Sequence, residues 1–323
     1  MIVVTGGAGF IGSNLVKSLN EQGYDDILIV DDLGKGDKYK NLLGLKFFDY
    51  IHCDDFLKQI MDNEFDDDDF EVIFHEGACS DTMEYDVNYM MKTNYDYSKT
   101  LLNFCVDNDI DFIYASSAST YGDGKNGFIE KDACEKALNP YAFSKLLFDR
   151  YVRQNIADIE SKVIGLRYFN VFGPQEFHKG RMASIVYQMY KQIKENGVIK
   201  LFKGTDGYED GEQKRDFIYV KDVAQVNIWC WEDEIIPNGI YNCGTGNATT
   251  FNELAESVIA ALGKGEIEYL DFPEELEGKY QSFTQADTRK LQRAGYDGGF
   301  TAVNDAVEEY CKFLEDGGYY EKN

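Results

Sequence analysis

The chain has 323 residues, 44% of them hydrophobic, and only four prolines, so it can bury a large core and is not a disordered protein. A formal net charge of -26 argues against nucleic acid or an anionic membrane surface as a partner. The seven scattered cysteines contain no Cys-x-x-Cys pair and make no metal-ligand pattern with His52, His75 and His178, so reduced thiols and no metal are expected.

Met1-Ile-Val-Val-Thr is a short β-branched apolar run that reads as a buried strand. Thr5-Gly6-Gly7-Ala8-Gly9-Phe10-Ile11-Gly12 follows at once, then a helix over Ser13 to Gln22 stopped by Gly23, then a second buried strand, Ile27 to Val30, ending at Asp31. Strand, glycine turn, helix, strand and acid, in that order, form a dinucleotide-binding βαβ unit. Gly6 permits the turn, Gly9 lets backbone approach a pyrophosphate, and Gly12 allows close packing of the helix. The free N–H groups at the helix start favour phosphate. Asp31 stands near the spacing of an acid that binds the adenosine ribose. Lys35 and Lys38 follow in a basic loop beside it.

The acidic run Asp66 to Asp69 reads as a solvated loop. Glu71 to Ala78 is a strand entering a small-residue turn, against which a cofactor could lie, and His75 within it reads as a satisfied buried group. Asn94 to Val106 reads as a helix with an apolar face at Tyr97, Leu101, Leu102 and Cys105. Asp111 to Ala115 is a strand ending in Ser116-Ser117. A helix over Tyr141 to Gln154 follows Asn139-Pro140, and Val163 to Asn170 is a further strand. This alternation predicts an α/β, doubly wound parallel sheet of the Rossmann type. After Gly173-Pro174 the pattern loosens. Met182 to Glu195 reads as helical, the stretch to Arg215 as loop-rich, and Thr250 with Glu253 as the capping box of another helix. The expected organisation is a dinucleotide-binding domain over 1–173, with returning segments near 216–245, and a smaller lobe over 174–323 that holds substrate. No apolar run reaches bilayer length, and the glycine turn falls within the first ten residues, so a soluble cytoplasmic protein is expected.

Tyr141-Ala142-Phe143-Ser144-Lys145 places a phenol and an ammonium on one helical face. A phenol with a pKa of about 10 is a poor base at neutral pH, and a nearby cation is expected to lower it. Lys145 can also hold a ribose hydroxyl, and Ser117 can hydrogen-bond the same substrate oxygen as Tyr141. Such a site takes a proton from an alcohol while a nicotinamide takes hydride.

On these residues the chain resembles the extended short-chain dehydrogenase/reductases over its whole length. Within them it is similar to the ADP-L-glycero-D-manno-heptose 6-epimerase family. The stretches that carry the likeness include Val4 to Asn14, Phe74 to Ser80, Tyr114 to Ser117, Arg167 to Pro174, His178-Lys179-Gly180, Lys214 to Phe217 and Gly278 to Asp287. The resemblance implies an ADP-heptose substrate, a recycled NADP, a place in lipopolysaccharide precursor synthesis, and a homo-oligomer, a pentamer. It pairs Tyr141 with Lys179 as acid and base, with Ser117 and Lys145 beside Tyr141. For the cofactor it implies the turn residues Gly6, Gly9, Phe10, Ile11 and Gly12, and Asp31, Asp32 and Lys38 at the ribose. It adds Glu76, Gly77, Ala78, Cys79 and Ser80, together with Asn94, Lys145 and Val171. For substrate it implies Asn170, Arg181, Gln188, Phe202, Lys203, Gly204, Thr205, Arg215 and Tyr280, besides Ser117 and Lys179. The chain departs from the family pattern at Cys53, where a cofactor-contacting lysine is usual, and at Arg181, Gln188 and the acidic insertion between Thr205 and Lys214.

Asp31 alone favours NAD, because a carboxylate repels a 2′-phosphate. Lys38, helped by Lys35, could offset that repulsion, so NADP is expected with NAD as the alternative. The rival activities are a UDP-hexose 4-epimerase and, from a different class, a non-catalytic NADP-binding sensor. A dehydratase fits less well, since Ala118-Ser119 supplies no acid beside the catalytic serine.

Overall fold

The computed structural model describes residues 1–65, 70–273 and 281–321. The acidic run Asp66 to Asp69 and the segment carrying Tyr280 lie outside the described residues. The first half contains β1 (Ile2–Thr5), α1 (Phe10–Glu21), β2 (Ile27–Asp31), β3 (Asp49–His52), α2 (Cys53–Met61), β4 (Val72–His75), α3 (Val87–Met91), α4 (Tyr97–Asp107), β5 (Asp111–Ser117), α5 (Pro140–Asn155) and β6 (Val163–Tyr168). The second half contains β7 (Asn170–Phe172), α6 (Ile185–Asn196), β8 (Val198–Phe202), β9 (Lys214–Tyr219), α7 (Val220–Glu232), β10 (Gly239–Cys243), β11 (Ala248–Thr250), α8 (Phe251–Leu262), β12 (Glu266–Leu270), α9 (Arg289–Arg293) and α10 (Val303–Glu315).

Seven parallel strands form the central sheet in the order β3-β2-β1-β4-β5-β6-β10, the doubly wound α/β arrangement expected from the sequence. Every residue of β1, β2, β4, β6 and β10 is buried, as a parallel sheet covered on both faces requires. Leu15 and Leu19 of α1 pack with Val226 and Cys230 of α7 on one face. Leu101 and Cys105 of α4 pack with Phe148 and Val152 of α5 on the other. The order of strands reverses between β1 and β4, which opens a crevice at their carboxyl ends.

A second apolar cluster joins Met189 and Ile193 of α6, Leu254 and Val258 of α8, and Val307 and Tyr310 of α10. It is flanked by a three-stranded sheet, β11-β9-β7, and by the parallel pair β12-β8. Here the sequence reading needs correction. The stretch to Arg215 is not simply loop, because β8 runs through it and Lys214-Arg215 opens β9. Helix α1 begins at Phe10 rather than Ser13, since Gly9 already takes the extended N-cap conformation. Asn94 sits in a π turn, Lys92–Asp96, between α3 and α4 rather than at a helix start. The Thr250–Glu253 capping box is present. Among the described residues, no helix is long and apolar enough to cross a membrane.

Candidate active site

The crevice holds a cavity of about 540 Å³ that runs from the glycine turn to the end of β5 and across to the 177–182 turn. Gly6 takes φ +67°, and a Cβ there would lie 2.7 Å from Gly77 N. A Cβ on Gly12 would lie 2.2 Å from Gly6 O, so this glycine serves the tightness of the turn itself, not only helix-to-sheet packing. Gly6, Gly9, Phe10, Ile11 and Gly12 all line the cavity at the start of α1.

At the β2 end of the cavity, Asp31 Oδ2 accepts the Ala8 N–H at 2.9 Å. Its Oδ1 accepts the Asp32 N–H at 2.7 Å and the Lys38 ammonium at 2.5 Å. Asp31 and Lys38 both line the cavity, whereas Asp32 and Lys35 point to solvent. Cys53 is half-buried at the start of α2 and does not line the cavity.

Across the turn, Glu76, Gly77, Ala78, Cys79 and Ser80 form the opposite wall. Asn94 is buried behind that wall. Its Oδ1 accepts the Cys79 N–H at 2.8 Å and its Nδ2 donates to Cys79 O at 2.9 Å. Asn94 therefore shapes the loop rather than facing the cavity, a correction to the contact expected of it. His75 exchanges hydrogen bonds with Thr5 Oγ1 at 2.7 Å and Ser98 Oγ at 2.8 Å, and burial holds its ring neutral, down at about 3.

Helix α5 starts cleanly. Asn139 accepts the Ala142 N–H at its N-cap and Pro140 fills the first turn. Tyr141, Lys145 and Asp149 then share one face. Tyr141 and Lys145 line the cavity beside Ser117 at the end of β5. The Lys145 ammonium donates to Ala115 O at 2.7 Å. Burial pushes Lys145 down to about 8, against the pull of Glu76 and Asp149. The expectation that Lys145 depresses the Tyr141 phenol is not met. Burial pushes Tyr141 above the usual phenol value, and only the hydrogen bond with Ser117 opposes it. Behind this face Asp149 accepts from Tyr114 Oη, Ser116 Oγ and Arg167 Nε at 3.0, 2.9 and 2.8 Å.

Lys179 enters from the 177–182 turn, where Gly180 takes φ +54°, and its ammonium lies 5.3 Å from the Phe10 ring centroid. Burial lowers its pKa, and Glu176 opposes that shift. Arg181, which the resemblance places at the substrate, is exposed and paired with Asp81 at 3.1 Å. Gln188 donates to Gly180 O at 3.0 Å and so props this turn.

Among the described residues, the remaining substrate candidates do not line the cavity. Asn170 donates to Asp216 O at 2.9 Å and Thr284 Oγ1 at 3.1 Å, tying β7 to β9 and to the segment around Thr284. Phe202 packs on Phe272 and Lys203 pairs with Asp271 at 2.7 Å. Gly204 donates to Asp210 Oδ1, closing the loop that includes Thr205, and Arg215 is buried with its guanidinium 5.8 Å from the Phe251 ring. Val171, in contrast, lines the cavity. So do residues that sequence reasoning did not select, among them Tyr168, Phe169, His178 and Met182. The first two immediately precede Asn170, and His178 precedes Lys179, so nearness to selected residues was the available signal.

The glycine cradle and the residues beyond it fit a dinucleotide laid from Asp31 towards Tyr141. One buried polar atom in this cavity supports the fit: Glu76 Oε2 has no hydrogen-bond partner among the described residues. Comparison with known proteins agrees. The chain superposes on the solved ADP-L-glycero-D-manno-heptose-6-epimerase of Helicobacter pylori with TM-score 0.83 and 31% identity, covering 97% of this chain and 96% of that one. It is similar also to the UDP-N-acetylglucosamine 4-epimerase of Methanobrevibacter ruminantium, solved with UDP-N-acetylmuramic acid, at TM-score 0.81 and 26% identity over 98% of each chain. The UDP-glucose 4-epimerase of Thermotoga maritima, solved with UDP-glucose, gives 0.78 and 25% over 98% of each. Residues 2–244 match the NAD dependent epimerase/dehydratase family, a span that runs from the first strand of the central sheet through the last. The chain belongs to that family.

Proposed function

We propose that the protein converts ADP-D-glycero-D-manno-heptose to ADP-L-glycero-D-manno-heptose by inverting C6. The observation that carries this reading is that two proton-active side chains from separate elements, Tyr141 of α5 and Lys179 of the 177–182 turn, line one cavity. The likeness to the Helicobacter heptose epimerase, stronger in identity than to either 4-epimerase above, supports the same substrate.

Bound NADP supplies hydride acceptance from C6 and hydride return to the opposite face. The chain does the rest. Ser117 and Tyr141 hold the C6 oxygen, and Tyr141 takes or gives its proton. Once the ketone has turned, its oxygen no longer reaches Tyr141, and Lys179 serves as the second acid or base. Burial, which lowers the Lys179 pKa, makes that exchange easier near neutral pH. Asp31 and Lys38 take the adenosine ribose. Their ion pair reduces the negative charge that would repel a 2′-phosphate, which supports NADP over NAD. We read 1–173, with the return near 216–245, as the dinucleotide-binding unit. The rest, with Arg181, Phe202, Arg215 and Tyr280, is read as the substrate lobe. A cytoplasmic homo-oligomer, a pentamer, working in lipopolysaccharide precursor synthesis accords with this reading.

Product analysis tests the proposal. Incubation with ADP-D-glycero-D-manno-heptose should yield the L-glycero epimer, and incubation with UDP-galactose should yield no UDP-glucose. The reverse pattern would make the protein a UDP-hexose 4-epimerase. Turnover of neither would favour a non-catalytic sensor.

A further inference from the structure

Glu76 stands at the carboxyl end of β4, on the inner side of the strand-order reversal, and lines the same cavity as Ser117, Tyr141 and Lys145. Its two oxygens differ. Oε1 accepts the Tyr168 hydroxyl at 2.7 Å, and Asn227 Nδ2 in turn donates to Tyr168 Oη at 2.8 Å. Oε2 is buried and has no hydrogen-bond partner among the described residues. A buried carboxyl oxygen without a partner is costly, and it is retained where a ligand or a proton completes it. The dinucleotide geometry decides which ligand group lies near. Asp31 marks the adenosine ribose and the α1 start marks the diphosphate, so the opposite end, at Tyr141 and Glu76, is where the nicotinamide ring goes.

We propose that Glu76 is a positioning residue for the cofactor's charge: it gives up its proton when the nicotinamide is oxidised and cationic, and takes it back when the ring is reduced and neutral. The inference rests on the reading that this cavity holds a nicotinamide dinucleotide. It is independent of which sugar is the substrate and of the choice between NADP and NAD.

The electrostatics give the proposal its working range. Burial pushes Glu76 up to about 7, while the Tyr168 hydrogen bond and Lys145 pull the other way. Both protonation states are therefore within reach at neutral pH. A cationic ring nearby favours the carboxylate. By linkage, the carboxylate then favours the oxidised ring. An epimerase that begins each cycle by oxidising its substrate needs the oxidised cofactor at rest, so this bias has a use.

The other groups facing Glu76 are identifiable. Helix α5 contributes Lys145 and Tyr141, and β6 contributes Tyr168. Strand β10 contributes Cys243, which burial keeps as a thiol, and the neighbouring His75 is held neutral. The α7 partner, Asn227, does not titrate. Lys145 is the one whose range overlaps, so the test must separate it from Glu76.

The test is direct titration of cofactor-depleted full-length protein with the oxidised and reduced forms of NADP and of NAD, from about pH 5.5 to about pH 8.5. Taking the ratio of the two affinities cancels groups on the dinucleotide that titrate alike in both forms. Expected is a preference for the oxidised form that rises with pH, by up to about tenfold per unit, and levels off above the Glu76 range. Glu76→Gln, the isostere of the protonated acid, should show at every pH the ratio that the native protein shows at acid pH. Tyr168→Phe removes a hydrogen bond that favours the carboxylate, so the rise should move to higher pH. A flat ratio in the native protein overturns the proposal. So does a rise that persists in Glu76→Gln, which would belong to Lys145, or one that Tyr168→Phe leaves in place. Failure to bind any dinucleotide would instead overturn the cofactor reading on which the inference stands.

Discussion

Removal of Asp149 should show how helix α5 is fixed to the sheet. Asp149 and Arg167 are both fully buried, and Arg167 Nη2 lies 2.7 Å from Asp149 Oδ2 and 2.5 Å from Glu135 Oε1. Asp149→Ala leaves the Arg167 guanidinium with the Glu135 carboxylate and the Tyr121 side chain, and strips the Tyr114 and Ser116 hydroxyls of their acceptor. Breaking a buried pair from one side costs about 3–5 kcal/mol, and each orphaned hydroxyl adds about 1–3 kcal/mol before relaxation. Allowing for relaxation, a loss of about 4 kcal/mol is expected. At about 3 kcal/mol per molar urea this lowers the unfolding midpoint by roughly 1 M. Asp149 lies one helical turn beyond Lys145 and two beyond Tyr141. A shift of the helix by about 1 Å would therefore cost turnover about 10²-fold in the molecules still folded. Asp149→Ala combined with Arg167→Met should recover stability relative to Asp149→Ala, because no uncompensated charge remains and Glu135 keeps Arg153 at 2.6 Å. Urea unfolding of the two singles and the double measures this. A double variant less stable than Asp149→Ala would refute the assignment of the cost to a stranded charge.

Three further outcomes are expected. Tyr141→Phe should lower kcat by about 10²–10⁴ with cofactor still bound, and near-normal turnover would remove Tyr141 from the chemistry. Lys179→Met should lower kcat if the lysine moves a proton, but mainly raise KM if it only attracts the diphosphate; normal kcat starting from either epimer would rule out the two-base scheme. Gly12→Ala places a methyl 2.2 Å from Gly6 O, so it should cost about 1–3 kcal/mol in overpacking and weaken dinucleotide binding, as read by thermal unfolding and cofactor titration.

The parts of the molecule that were legible in the sequence are those whose physics is local. The turn at Gly6 and Gly12 needs glycine for reasons confined to a few residues, and the Asn139-Pro140 helix start places Tyr141 and Lys145 on one face without distant help. Strand identity in the central sheet was legible because both faces are covered, so the strands are continuous apolar runs. Strand β9 shows the opposite case. It opens Lys214-Arg215-Asp216, which reads as loop, yet all but the first residue are buried. Asp216 can be there because Thr245, Gly246 and Ala286 donate backbone N–H groups to it at 2.8–2.9 Å. Those partners come from segments far along the chain, and no periodicity announces them.

The same distinction separates the identity of a site residue from its charge. Glu76, Tyr141 and Lys145 were all selected from local motifs, but their protonation is decided by burial and by residues brought in from other elements. Tyr168 is 92 positions from Glu76, and Ser117 reaches Tyr141 from the adjacent strand end. The expectation that Lys145 lowers the Tyr141 phenol was drawn from helical spacing alone. It fails because burial acts on the phenol, and the group that opposes burial is the Ser117 hydroxyl rather than Lys145. It follows that relatives can share the glycine turn and the Tyr-x-x-x-Lys pair while differing in the working pH of the site. In this chain the residues that bear on those charges from behind the motif are Tyr168, which pulls Glu76 down, and Asp149, which pulls Lys145 up.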